Sequence, residues 1–410
     1  PVNLTHKTWT LDTGTVGQVN LLVGGSYSNL VWHAGPVNAQ WDVMKTTNWL
    51  NGAVADTFGL GDNVLFDDSG AYSNTVNIGV TVLPSSVTVN SSSNYTFAGA
   101  GSIGGWAVLT KTGAATLALS CSNSFSGDTR VSGGRLSMAN AGALYGSTLD
   151  YDNHGGQIDF GVLTGVTLGN LKGNQDLVLL NSGFAAVRLS IGANNQDAGY
   201  GGAFSGSGGP TKVGSGTWTL TGTNTYTGAT LVNAGTLQIN GGTISGPGYL
   251  DIGANAATPA NFVLNSGSVT VSGQFVIGAH GSNCGGVQTN GTLTVSSGIF
   301  YLGGYGEGTG AGTYTQSGGT VGIASGWLDY GGGGPNNGIY NLNGGTLILS
   351  VGIRRNGGGA TREFHFNGGT LEASIDSANF MKNDLSSVTV RENGGTINNS
   401  GWIITVAAPL

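Results

Sequence analysis

Three groups of side chains in this 410-residue sequence are of types that could do chemistry. Asp62, Asp67 and Asp68, with Asn63 among them, crowd oxygen ligands into one short stretch, the density that a calcium ion requires. The stretch lacks the glycine and terminal glutamate spacing of an EF-hand, and no G-G-x-G-x-D calcium repeat occurs, so a solvated acidic turn is the better reading. No metal or other cofactor is expected. The basic cluster Arg354, Arg355 and Arg362, with Glu363 and His365, is where an eliminase acting on polysaccharide would keep its proton-abstracting arginine. Such chemistry needs flanking carboxylates, and Glu363 has no second one near it in sequence, so a contact patch is favoured and no catalytic residue is assigned. Trp32, Trp41 and Trp49 could stack on the apolar faces of sugar rings, but their spacing defines no common face and suits the core of a cap.

No nucleophile elbow, zinc-protease, phosphate-loop or dinucleotide signature is present. Cys121 and Cys284 match no metal-ligand or redox spacing, and an internal bridge between them is not expected. The composition is unusual. Glycine supplies 78 residues and charged side chains only 33, whereas an ordinary protein has roughly 7% glycine and 25% charge. The net charge of −7 is spread thinly and no run of Lys or Arg exceeds two, which disfavours nucleic acid and anionic membranes as partners. The longest apolar run, from Ile403 to Leu410, is far below the ~20 residues of a membrane helix. The first residue is Pro1, with no charged-then-apolar leader after it, which suits an exported product whose signal has been removed.

The elements that must position any site are repeats. KTGAATLALSCSNSFSGDTRVSGGRLSM, from Lys111, aligns without gaps on KVGSGTWTLTGTNTYTGATLVNAGTLQI, from Lys212, at an offset of 101 residues. Gly113 falls on Gly214, Asn123 on Asn224 and Leu136 on Leu237. Apolar residues alternate within each copy, the period of a strand with one buried face. Downstream, YNLNGGTLILS, FHFNGGTLEAS and VRENGGTINNS recur with a period of about 25 residues, each an Asn-Gly-Gly corner between two short strands. Short strands, Gly/Asn corners and no helical period describe an all-β chain coiled into a β-solenoid. Its inward residues Leu342, Leu347, Phe366 and Leu371 should stack in columns. Low charge fits this arrangement, because in-register stacking sets like residues ~4.8 Å apart.

The segment from Lys212 resembles the autotransporter-associated β-strand repeat of secreted bacterial passenger domains, and Lys111 to Met138 is similar to a decayed copy. What the resemblance implies is a right-handed parallel β-helix outside the cell; it implies no substrate.

Residues 1–105 read as a Trp-rich head or cap, and residues 106–410 as a parallel β-helix of ~25-residue rungs. A solenoid whose end strands are open carries two adhesive ends, and head-to-tail contact between them builds a filament. The expected function is therefore a secreted structural subunit that assembles with copies of itself and has no enzymatic role. Val2, Leu4, Trp9 and Leu11 at one end, Trp402 and Ile404 at the other, and the Arg354, Arg355 and Arg362 patch meeting Asp62 to Asp68 would form the contact. A glycan-binding adhesin using Trp32, Trp41 and Trp49, with surface polysaccharide as partner, is the alternative; a β-helix polysaccharide lyase is the second alternative. Either way the location is extracellular or the cell surface.

Overall fold

Alternating strands and glycine corners produce a coil in the computed structural model, which describes all residues except 1–2, 36–37, 70–72, 256–257, 281–282, 305–309, 333–336 and 357–360. The described residues are all strand, turn and bend, with no helix, and the parallel strands stack as a β-solenoid. The chain divides into two units, Pro1–Lys172 with Asn181–Gly183, and Gly173–Leu180 with Phe184–Leu410.

In the first unit one parallel ladder runs through Asn29–Trp32, Asn63–Phe66, Ser86–Val89, Val108–Lys111, Thr129–Val131 and Leu144–Asp150. A second runs from Gln40–Trp41 through Thr75–Ile78, Tyr95–Ala98, Thr116–Leu119 and Arg135–Met138 to Gln157–Asp159. Trp49–Asn51 and Val54–Asp56 join antiparallel at the Asn29–Trp32 strand.

The second unit carries an inner-strand ladder from Arg188–Ile191 through Gly209–Lys212, Thr230–Val232, Leu250–Ile252, Phe275–Ile277 and Phe300–Leu302. Opposite it, the long bent strand Ala260–Val271 feeds two ladders, one through Asn283–Gln288 and one through Thr292–Val295. The Asn-Gly-Gly corners join these two ladders. Leu342 pairs with Phe366 and Leu347 with Leu371, all four buried, so the expected columns are present.

The repeat length differs from the uniform ~25 residues expected. Leu109 lies opposite Thr129 and Thr230 opposite Leu250, steps of 20 residues, whereas Leu250 lies opposite Phe275 and Phe300 opposite Leu328, steps of 25 and 28. The connection after the inner strand sets the step. Only residues 233–234 separate Thr230–Val232 from the next strand, but residues 253–259 separate Leu250–Ile252 from Ala260–Val271.

Two polar side chains that recur between the 101-residue copies are buried where the chain turns. Lys212 Nζ donates to the carbonyls of Val213 (2.5 Å), Gly214 (2.7 Å) and Ala234 (3.3 Å). Lys111 Nζ does the same with Thr112, Gly113 (2.9 Å) and Gly133 (3.2 Å). The corner carbonyls point inward because Gly214 takes φ +66°, and a Cβ there would lie 2.0 Å from the Gly192 carbonyl oxygen. Asn224 bridges neighbouring turns: its Oδ1 accepts from the Phe204 amide (3.0 Å), and its Nδ2 donates to the carbonyls of Gly222 and Thr243 (both 3.0 Å). Asn123 makes the same set with Ile103, Cys121 and Ala143. The repeat is thus a structural device, with side-chain donors placed wherever the turning backbone leaves buried carbonyls. Burial pushes the Lys212 ammonium down to about 8, so it remains mostly charged at neutral pH. Lys212→Met leaves three carbonyls without that donor and is expected to cost about 3 kcal/mol in a urea melt at pH 7; a loss below about 0.5 kcal/mol would mean other donors serve those carbonyls.

Candidate functional site

The sequence-selected residues do not gather into one site. Trp32, Trp41 and Trp49 are fully buried, packed on one another and on Phe66 at centroid distances of 4.9–5.5 Å. This corrects the stacking platform: a ring with no exposed face cannot take a sugar. Asp62 is also buried, and its carboxylate is engaged. It faces His6 Nδ1 (2.7 Å) and accepts from the amides of Gly59 (2.7 Å) and Ser28 (2.8 Å). Asp67 accepts from the Ser69 amide and hydroxyl, and Asp68 from the Ser91 hydroxyl and Ser92 amide, hydrogen bonds that hold the Asp68 carboxyl below its ordinary range. Among the described residues no three His, Cys, Asp or Glu side chains are grouped to hold a metal ion.

The basic cluster is split. Arg362 is fully buried, which corrects its placement in a surface patch, and burial lowers its guanidinium below the usual range. Arg354 Nε donates to the buried Asp329 (2.8 Å), and its guanidinium lies 4.9 Å from the Trp327 ring. The Arg355 amide donates to Asp384 (3.3 Å). His365 is buried between Glu363 (Nε2 to Oε2, 2.9 Å) and Thr389 (Nδ1 to Oγ1, 2.5 Å). With Asp62 buried, a contact between it and these arginines in a second copy is not available.

The terminal residues fare differently. Val2 lies outside the described residues. Thr8–Asp12 and Asn20–Gly24 form a separate two-stranded antiparallel sheet. Its registers Trp9↔Val23 and Leu11↔Leu21 place four apolar side chains on one face, and all four are exposed. Leu4 and Trp402 are also exposed, and Ile404 is half-buried.

One concavity that sequence reasoning missed is a groove of about 360 Å³ in the first unit whose lining includes Thr5, Tyr27, Gly61, Leu83, Ser85 and Trp106. It is built by turns stacked in register. The Gly61 amide donates to the Leu83 carbonyl (2.7 Å), and the Ser85 hydroxyl donates to the Gly61 carbonyl (2.6 Å). Gly61 takes φ +92°, and a Cβ there would lie 2.2 Å from Tyr27 Cε1, so glycine is what lets the tyrosine ring lie against this corner. Asp62 fixes the other side of Tyr27 through the Ser28 amide, and the Leu60 amide donates to the Leu4 carbonyl (2.7 Å), tying the N-terminal segment down. The Lys7 ammonium sits 4.0 Å over the Tyr27 ring. Trp106, after Gly104 and Gly105, is 86% exposed. A tryptophan directly after a Gly-Gly pair, just outside the alternating strand pattern, was the available signal.

Two segments, residues 109–138 and 211–239, match the passenger-associated transport repeat. These are the copies that carry the buried Lys and Asn. The chain is similar to the adhesin BmaC autotransporter of Brucella suis biovar 1 (strain 1330), with 36% identity over 174 residues, covering 40% of this chain and 5% of that protein. No solved structure matches. The chain is thus a β-solenoid that carries two passenger-type repeats.

Proposed function

We propose that this chain is part of the extracellular, cell-surface portion of a bacterial adhesin and that its role is to present a contact surface, not to catalyse a reaction. The observation that carries the reading is the pair of passenger repeats with their carbonyl-capping lysines in place. The likeness to a protein named as an adhesin supports it. Displayed on a non-adherent bacterium, the chain is expected to raise attachment to host cells or to coated surface polysaccharide; attachment equal to that of the empty display system would sink the reading.

A second reading, assembly with copies of itself, draws support from the isolated hairpin. A two-stranded sheet is marginal alone in water, and this one leaves Trp9, Leu11, Leu21 and Val23 exposed on one face. In this reading the hairpin adds its open edge to strands of a neighbouring copy, supplying main-chain hydrogen bonds and apolar contacts. Sedimentation of the full chain is expected to show concentration-dependent oligomers that Trp9→Lys with Leu21→Lys abolishes. A wild-type chain that stays monomeric at high concentration would leave the hairpin without this role.

A further inference from the structure

We infer that the Tyr27–Trp106 groove is a carbohydrate subsite that takes a neutral pyranose, with the Trp106 indole as its stacking platform. This rests on the adhesin reading and gives it a ligand class and a place.

Trp106 is the starting point. Indole is the largest apolar side chain, and a ring 86% exposed loses hydrophobic stabilisation that any covering surface would recover. The fold holds it out rather than burying it. Gly105 takes φ +73°, and Ala107 and Leu109 behind it point into the core, so the chain at 106 is anchored while its side chain faces solvent. Three buried tryptophans in the same unit show that indoles here are buried where packing permits.

The surroundings narrow the ligand. Tyr27 and Leu83, each partly exposed, supply further apolar surface across the groove. Thr5 and Ser85 bring hydroxyl oxygens to the lining that can still accept, since their protons are already donated to Asn3 and to the Gly61 carbonyl. No lining side chain carries a formal charge at neutral pH. The Lys7 ammonium is taken up over the Tyr27 ring. Flat apolar surface beside neutral hydroxyl acceptors matches a sugar, which has one apolar C–H face and an equator of hydroxyl donors. For an anionic ligand the nearest counter-charge is the Lys7 ammonium, already held over the Tyr27 ring. The volume of about 360 Å³ lies at the lower end of the ~300–1,000 Å³ usual for small-ligand sites, so the groove fits a ring or two and leaves a longer chain to run over the outer surface.

The test uses the full chain in calorimetric titration with the methyl glycosides of glucose, galactose, mannose and N-acetylglucosamine. At least one is expected to bind, Trp106→Ala to weaken that binding about tenfold, and Trp106→Phe to retain most of it. Because Trp106 is exposed, both variants should melt as the parent does, and a melt shared with the parent is the control for folding. Absence of binding by all four sugars, or equal binding by Trp106→Ala, overturns the subsite. If Trp106→Ala binds sugars normally but the displaying cells lose attachment, the ring meets a protein surface instead, which overturns this inference and leaves the adhesin reading standing. Attachment that never rises above background while Trp106-dependent sugar binding persists does the reverse.

Discussion

Raising the pH through 11 is expected to unfold the second unit. Four of its phenols, Tyr226, Tyr314, Tyr330 and Tyr340, are fully buried, and burial pushes each above the usual tyrosine range. Each also has a polar neighbour inside the coil. Tyr314 donates to Gln288 Oε1 (2.7 Å), Tyr340 to Gln316 Oε1 (2.6 Å) and Tyr330 to the Glu363 carbonyl (3.1 Å), while Tyr226 pairs with the Thr230 hydroxyl (2.6 Å). In the unfolded chain these phenols ionise near pH 10; in the coil they stay neutral. A raised folded value means the contribution is intact below pH 10 and lost as pH climbs from there toward the folded value. Each phenol then costs about 1.4 kcal/mol per pH unit, and four cost about 5.5, comparable to the whole stability of a typical domain. Lys212 has the opposite sign, since its lowered value makes stability rise between about 8 and its unfolded value near 10.4, but one group is outweighed by four. The last part of the phenolate absorbance, from these four rings, and the far-ultraviolet β signal should therefore change together in one steep step. Four phenols ionising near pH 10 with the β signal intact would contradict the burial.

A double substitution refines this. The next turn replaces the pair outright, with Leu342 opposite Gln316 and Phe364 opposite Tyr340. Tyr340 stacks on Phe364 at 5.4 Å. Tyr340→Phe together with Gln316→Leu copies that solution, and should reduce the alkaline slope by about a quarter, one phenol of four.

Trp41→Ala is expected to destabilise the first unit by about 4 kcal/mol, within the usual ~3–5 kcal/mol for emptying a buried aromatic site. The ring packs at 5.4–5.9 Å against Trp49, Phe58, Phe66 and Phe97, so its loss opens a cavity bordered by rings that cannot collapse into it without breaking their own contacts. Trp41→Phe should cost only about 1 kcal/mol. Among the described residues the Trp41 Nε1 finds no acceptor, so the smaller ring loses volume but also removes a buried donor with no partner. Urea melts of both variants decide the matter: equal losses would mean that the indole nitrogen is satisfied, and no loss from alanine would place Trp41 outside the core.

Much of this was legible in the residues. Alternating Leu117 and Leu119, and Trp218 and Leu220, announced strands with one buried face, and each is buried. The recurrence of Lys111 with Lys212 and Asn123 with Asn224 was visible, but not its meaning, because a lysine in a list of residues reads as surface charge. That its ammonium turns inward follows from glycine corners aiming carbonyls at the interior, a fact of backbone direction. The tryptophans lie buried as their reading as a cap core expected, but the same blindness misplaced Arg362 and Asp62. Residue type suggested exposure and chemistry, whereas their positions on stacked turns put them inside.

The sequence by itself determined the period-two strands, the sharp corners, the repeats and the low charge, because these are local requirements of backbone geometry and of like residues stacking at strand spacing. Tertiary structure alone decided which polar and aromatic groups remain at the surface. Tyr27 and Trp106, 79 positions apart, share a groove only because turns stack in register and Gly61 lets the backbone and a ring approach closely. Such proximity depends on how many residues each turn consumes, a sum over distant connections that no short stretch of chain records.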